Sequence, residues 1–298
     1  MRLGVDLGGT KIEIIALDEN GEMHYRQRVD TPKGDYAATV GRIVGLVREA
    51  ESQLGLNVNL SGSLGVGIPG AVSHKTRRIK NANSTWLIGQ DLQGDLQRQL
   101  QCEVRLANDA NCFALSEAVD GAGKGAEVVF GVIIGTGCGG GVVVNGRILN
   151  GVNAIGGEWG HNPLPWATAD DLQMACYCGL KGCNETFLSG SGLQAHYQNR
   201  TGSSKTAKQI VALSEQGNIV AEQLMQDYIL WLAKGLASVI NLIDPDVIVL
   251  GGGMSNIQRL YDDVPKLWGN WVFSDQVNTQ LLPPKYGDSS GVRGAAWL

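Results

Sequence analysis

The chain has 298 residues and a formal net charge of −5, enough length for two domains and a substantial core. That acidic balance argues against a nucleic-acid or anionic-membrane surface as the main function. No apolar run approaches the ~20 residues that span a bilayer, and the first residues read directly as strand rather than as a signal peptide.

Residues 3–29 predict a three-stranded meander: a strand at Leu3–Asp6, a glycine turn at Leu7–Thr10, a strand at Ile12–Leu17, an Asn20-Gly21 turn and a third strand. Asn-Gly between β-branched runs is a strong hairpin signal. Glycines in the first turn let backbone N–H groups approach an anion with no Cβ in the way, forming a phosphate cradle. Thr10 adds a hydroxyl, Lys11 a compact positive charge, and Asp6 an oxygen ligand suited to Mg²⁺. The pattern is neither a Walker A loop nor a Gly-x-Gly-x-x-Gly helix opening.

A helix is expected from about Tyr36, with Val40, Ile43, Val44, Val47 and Leu54 on one face. Glu103–Ala107 reads as a strand and Ala114–Ala118 as helix, with Asn108-Asp109 between them. A carboxylate at the C-terminal end of a strand faces the cleft of an open α/β sheet, where Asp109 could take a proton from a substrate hydroxyl. Capping of the following helix is the competing reading of Asp109.

Residues 129–149 repeat the opening pattern: a strand at Val129–Ile134, a glycine turn at Gly135–Gly141, a strand at Val142–Val144, an Asn145-Gly146 turn and another strand. Two meanders with glycine-rich first turns imply duplicated α/β lobes around a shared cleft. Further on, Cys176, Cys178 and Cys183 follow Cys-x-Cys-x4-Cys spacing, and His161 lies fifteen residues upstream. Three thiolates and one imidazole fill a tetrahedral zinc shell with no open position, which marks a structural ion. The alternative is free or disulfide-bonded thiols, for which Cys-x-Cys is poorly placed. Cys102, Cys112 and Cys138 remain as isolated thiols, in keeping with a reducing cytoplasm. An amphipathic helix is expected over about Ala221–Leu242, stopping at Asp244-Pro245. Val247–Leu250 reads as a buried parallel strand that ends in a third glycine turn, Gly251–Gly253.

Taken together these segments resemble the sugar kinases of the ROK family. The motifs are Asp6-Leu-Gly-Gly-Thr-Lys11, Gly67-Ile-Pro-Gly70, Asn108-Asp-Ala-Asn111, Ile134-Gly-Thr-Gly137, Gly157-Glu-Trp-Gly-His161, the cysteine run ending at Glu185, and Val249-Leu-Gly-Gly-Gly253. Asn81–Trp86, His161–Trp166 and Gly287–Gly294 are similar to bacterial fructokinases of the manno(fructo)kinase type.

The resemblance implies an actin-like, ribonuclease-H-like ATPase fold of α/β class. It would have an N-terminal lobe over 1–118, a C-terminal lobe with the zinc loop over 119–287, and a closing segment at about 288–298 packing back on the first lobe. It implies ATP and Mg²⁺ at Gly4, Asp6, Gly8, Gly9, Thr10, Lys11, Ile133, Ile134, Gly135, Thr136, Gly137, Gly139, Gly140, Gly251, Gly252 and Gly253. Asp109 matches the family's general base. Asn83, Asn108, Glu158, His161 and Glu185 match sugar contacts, and His161 also binds zinc. The implied partners are a sugar, ATP and a second copy of the chain. The implied reaction is phosphorylation of D-fructose at its 6-hydroxyl, with mannose second. The rivals are an N-acetylhexosamine kinase or glucokinase on the same scaffold, or a sugar-responsive regulator without a catalytic role. Regulators of this family carry a DNA-binding segment ahead of the first phosphate loop, and here that loop begins at Asp6.

Overall fold

The computed structural model describes residues 1–56, 63–169, 171 and 174–298. Strands β1 (Arg2–Leu7), β2 (Lys11–Leu17) and β3 (Met23–Asp30) form the first meander, followed by helix α1 (Tyr36–Leu54) and β4 (Ser63–Ile68). A short hairpin, β5 (Ala71–Val72) and β6 (Ile79–Lys80), leads through a 3₁₀ turn at Thr85–Leu87 to α2 (Leu92–Leu100), β7 (Glu103–Asn108) and α3 (Asp109–Val119). The second half holds β8 (Val128–Ile134), β9 (Cys138–Val144), β10 (Arg147–Ile148), α4 (Asn184–Leu188), α5 (Gly190–Thr201), α6 (Ala207–Glu215) and α7 (Ile219–Ile243). It closes with β11 (Val247–Gly251), α8 (Gln258–Trp268), β12 (Gln280–Leu282) and α9 (Ser290–Ala296).

The same wiring occurs twice. One sheet has the order β3-β2-β1-β4-β7 and the other β10-β9-β8-β11-β12. In each, the first three strands run antiparallel and the last two add in parallel. The duplication expected from the two meanders is therefore present at the level of topology. One local expectation is corrected: Gly139–Gly141 lie within β9 rather than in its preceding turn. They pair with β8 as strand residues, and Gly140 and Gly141 are glycines because backbone of other segments lies against the strand. A Cβ on Gly141 would sit 2.8 Å from the Ala110 carbonyl oxygen, and one on Gly140 would sit 2.8 Å from that of Gly157.

Strand β2 shows how one alternating sequence serves two cores. Ile12, Ile14 and Ala16 join the cluster under α1 and α2, whereas Ile15 and Leu17 turn to Val292 and Ala296 of α9. Helix α1 begins where Asp35 accepts a hydrogen bond from the Ala38 N–H and ends at Gly55 in the left-handed region. Helix α7 ends at Ile243, with Asp244 at φ 43° ahead of Pro245, where the proline was expected to stop it. The outer face of the second sheet packs on α5, α6, α7 and α8 through a large cluster that includes Phe130, Phe187, Tyr228 and Leu232.

Helix α3 begins at the end of the first sheet but rests on the second, where Phe113, Ala114 and Leu115 meet Val129, Val143 and Val249. Helix α9 rests on the first sheet, and the two helices cross between the lobes. The crossing is backbone on backbone: a Cβ on Gly294 would lie 1.6 Å from the Cys112 carbonyl oxygen, and one on Gly65 would lie 1.7 Å from that of Ala295. At the rim of this crossing Arg293 pairs with Asp120 and donates to the Gly21 carbonyl at 2.7 Å. Ser290 donates to Glu117 at 2.7 Å. Arg293 and Asp120 are only 5% and 6% exposed, so removing one partner strands a buried charge. Arg293→Met is expected to lower unfolding stability by about 3–5 kcal/mol. Urea denaturation measures the loss, and adding Asp120→Asn should restore part of it; a loss under ~1 kcal/mol would refute this role for the pair.

Candidate active site

The C-terminal ends of β1, β4 and β7 open into the cleft, where an α/β sheet presents ligand-binding groups. Asp6 closes β1 and Asp109 opens α3. The Asn108 side-chain carbonyl caps α3 by accepting from the Ala110 N–H at 2.9 Å, and its amide donates to the Gly70 carbonyl at 3.1 Å. Asn108 thus takes the capping role that was the rival reading of Asp109. The Asp109 Oδ1 also accepts from the Ala110 N–H, at 2.8 Å. Solvent reaches Asp109 through the mouth of the cleft, yet protein on both sides desolvates its carboxyl and pushes its pKa up.

Asp6 is raised as well, to about 7, by burial first and then by the charges of Asp109 and Glu13, with Arg28 opposing. Its carboxylate lies over Gly67 and Gly291, whose ideal Cβ positions fall 3.5 Å and 3.8 Å from its oxygens. Two neighbouring carboxylates with raised pKa values suit a hard divalent cation.

Three cavities follow one another along the cleft. A central one of about 610 Å³ is lined by Asp6, Gly8, Gly9, Thr10, Asn83 and Asp109 from one side and by Ile133 and Gly252 from the other. A second, of about 210 Å³, contains Asn108, Gly140 and Glu158. The third, of about 880 Å³, lies in the second lobe among Gly135, Thr136 and Gly253. The first-lobe glycine hairpin therefore lines the central cavity, and the second-lobe hairpin lines the third. The third cavity is also lined by Ser191, Gln194, Lys208, Met254 and Asn256, which sequence reasoning missed because no motif marks them.

Some expected nucleotide contacts do not reach the cleft. Gly4 is required for packing, since its Cβ would lie 2.4 Å from the Ala296 nitrogen. Gly251 lies against the Phe113 ring, at 2.6 Å from an ideal Cβ, and Gly139 against Ala110. Ile134 is buried in the second core. Lys11 pairs with Asp30 at 2.5 Å, and Lys33 lines the central cavity in its place. The β2–β3 register, which sets Lys11 opposite Asp30, carries the chain to Lys33 beside the hairpin; extending that register would have found it. Gly137 leaves room for Glu185, whose Oε2 would approach a Cβ there to 2.8 Å.

Glu158, His161 and Glu185 come from two segments held side by side. Glu185 N–H donates to the Gly160 carbonyl, and Asn184 N–H to that of Asn162, both at 2.8 Å. The Glu185 carboxylate accepts from the Cys138 N–H at 3.0 Å. Glu158 is pushed up by burial and by Asp109 and Glu185, against the opposing charge of His161. Behind them the donor atoms of His161, Cys176, Cys178 and Cys183 all lie within 4.8 Å of one another. His161 Nδ1 is 3.5 Å from Cys176 Sγ, and Cys178 Sγ is 3.7 Å from Cys183 Sγ. Three sulfurs and one nitrogen at this spacing fit a tetrahedral ion such as zinc.

Twin α/β lobes, each with a phosphate-type hairpin beside a cavity, and carboxylates at the strand ends are the arrangement of a phosphotransferase of the actin-like ATPase class. The ROK family model matches residues 2–298, and the chain belongs to that family. N-acetyl-D-glucosamine kinases of Yersinia pseudotuberculosis and Vibrio cholerae are each 39% identical over 303 residues, covering 100% of this chain and 98% and 99% of theirs. A ROK hexokinase from Thermus thermophilus superposes with a TM-score of 0.88 at 28% identity, covering 99% of this chain and 96% of its own. A ROK family glucokinase from Streptomyces griseus, in complex with glucose and AMPPNP, gives 0.77 at 29%, with 99% and 97% covered. The chain is an ATP-dependent sugar kinase whose small-molecule partners are a sugar and ATP. These relatives do not support the fructose specificity expected from sequence. Among the described residues no helix is long and apolar enough to cross a membrane.

The raised pKa of Asp6 has a stability consequence. Between pH 3.8 and about 7 the folded chain keeps a proton that the unfolded chain has released, so stability falls as pH rises through that window. Asp6→Asn should therefore melt higher than the unsubstituted chain at pH 8 without nucleotide or metal, with the difference shrinking by pH 5. Scanning calorimetry at both pH values tests this; a variant less stable at pH 8 contradicts it.

Proposed function

We propose that the chain transfers the γ-phosphoryl group of ATP to the 6-hydroxyl of a hexose, with N-acetyl-D-glucosamine as the first acceptor. The observation carrying the reaction is Asp109, at a strand end in the central cavity beside Asp6 and the first glycine hairpin. In this reading ATP lies with its phosphates in the central cavity and its nucleoside in the cavity of the second lobe. Backbone N–H groups around Gly8–Thr10 and Gly135–Gly137, with the Thr10 hydroxyl, hold the phosphates. Asp6 would hold Mg²⁺, which neutralises charge on the phosphoryl oxygens when bound. Asn83, Asn108, Glu158, His161 and Glu185 orient the sugar, and Asp109 accepts its hydroxyl proton. Because its pKa is raised, Asp109 is a stronger base than a free carboxylate, and activity should rise as pH climbs through its titration.

The acceptor rests on the 39% identical relatives. The second cavity, which holds Glu158 with the small residues Ala71, Ala107, Ala154 and Gly156 and the polar side chains of Ser73, Gln93 and Asn111, also offers room for an acetamido group. Fructose is the second reading, carried by the fructokinase-like segment Asn81–Trp86, whose Asn83, Ser84 and Trp86 line the central cavity. Comparison of kcat/KM for N-acetylglucosamine, fructose, mannose and glucose decides between them; a tenfold preference equals about 1.4 kcal/mol. With the best hexose, Asp109→Asn should cut kcat by at least ~10²-fold while calorimetric sugar binding survives. Near-normal turnover would remove Asp109 as the base.

Zinc would be held by His161, Cys176, Cys178 and Cys183, fixing the segments that carry Glu158 and Glu185. Elemental analysis should find one zinc per chain, and Cys178→Ser should lower zinc content, melting temperature and turnover together. Full activity in zinc-free protein would overturn that assignment.

A further inference from the structure

His161 has two ring nitrogens with different surroundings. Nδ1 faces the cysteine cluster, 3.5 Å from Cys176 Sγ, and Nε2 points the other way. Opposite Nε2 stands the Tyr177 hydroxyl at 3.1 Å, with the two rings edge to face at 5.2 Å and 87°. Tyr177 lies between two of the clustered cysteines, so its backbone position is fixed by the loop, yet its side chain is 78% exposed. An exposed tyrosine in an outer loop ordinarily turns to solvent. This one turns to the nitrogen of the proposed sugar site, where it also feels the charges of Glu185 and Glu158.

Once Nδ1 serves the cysteine cluster, the ring proton resides on Nε2, which becomes a donor in need of one acceptor. A sugar hydroxyl can be that acceptor, and so can a phenol oxygen. We infer that Tyr177 is a placeholder: its hydroxyl occupies, in the sugar-free chain, the acceptor position that a hexose hydroxyl takes on binding. The phenol keeps His161 oriented between turnovers and is displaced by substrate, whose binding is weakened accordingly. The inference rests on the hexose-kinase reading of the site and adds to it a residue that sets sugar affinity.

The test is Tyr177→Phe, which keeps the ring contact and removes the competing oxygen. A neutral hydrogen bond contributes about 0.5–1.5 kcal/mol, so KM for the preferred hexose should fall about 2- to 10-fold, with kcat and zinc content unchanged. An unchanged or raised KM at full zinc content overturns the inference. Should the variant lose zinc, the unsubstituted chain labelled with 3-fluorotyrosine carries the test. The Tyr177 resonance must then shift with saturating N-acetylglucosamine or fructose and stay in place with ADP alone; a resonance indifferent to both sugars overturns the placeholder. Glu158→Gln separates the two levels of the argument. If it binds hexose as tightly as the unsubstituted chain, the sugar-site reading itself fails. If it binds weakly while Tyr177→Phe changes nothing, only the placeholder is lost.

Discussion

Everything in this molecule depends on how closely α9 and α3 are allowed to approach each other and the sheets beneath them. Gly4 and Gly65 admit α9 onto the first sheet, and Gly131, Gly141 and Gly251 admit α3 onto the second. Gly294 lets the two helices touch backbone to backbone. Any side chain at these positions would push a helix away and shift Asp109, which is the first residue of α3. The position of Asp109 and the lobe contact are thus set by the same close packing. Interiors packed at crystal-like density transmit such displacements and do not absorb them.

The second constraint is electrostatic. Asp6, Asp109, Glu158 and Glu185 converge on one cleft, and three of the four carboxyls are held above the ordinary carboxylate range. Burial is the largest cause in each case. Like charges crowded in a desolvated space strain the folded chain, and a hydrated cation, a sugar or a phosphate hydrogen-bond network relieves that strain. The site is assembled at the expense of stability, and the buried Arg293–Asp120 pair with its Gly21 contact, together with the Ser290–Glu117 hydrogen bond, holds the lobes in register beside it.

Much of this was legible in the chain because it depends on local chemistry. Hairpin turns, the stop at Asp244-Pro245 and the strand-end Asn108-Asp109 follow from backbone rules that act over a few residues. The metal-type cluster follows from ligand spacing. What was not legible depends on contacts between distant segments. Gly4, Gly139 and Gly251 looked like phosphate-cradle glycines, since a glycine needed for packing and a glycine needed for anion approach leave the same mark. Lys33 and the Ser191–Gln194–Lys208 wall carry no motif and become visible only when the sheets close. Acceptor identity is the least legible of all, because two hexoses differ by the direction or substitution of one group and side-chain types do not encode that direction.

Glu185 binds these themes together. Its carboxylate accepts the Cys138 N–H, directly after the glycine hairpin of the second lobe, while its backbone is tied to the His161 segment. One residue therefore ties the end of the second-lobe hairpin to the His161 segment. A ligand that displaced the hairpin would displace the His161 segment through the same residue, and thermodynamic linkage would make the effect reciprocal. Two ligands that each moved this carboxylate would act as heterotropic effectors of one another.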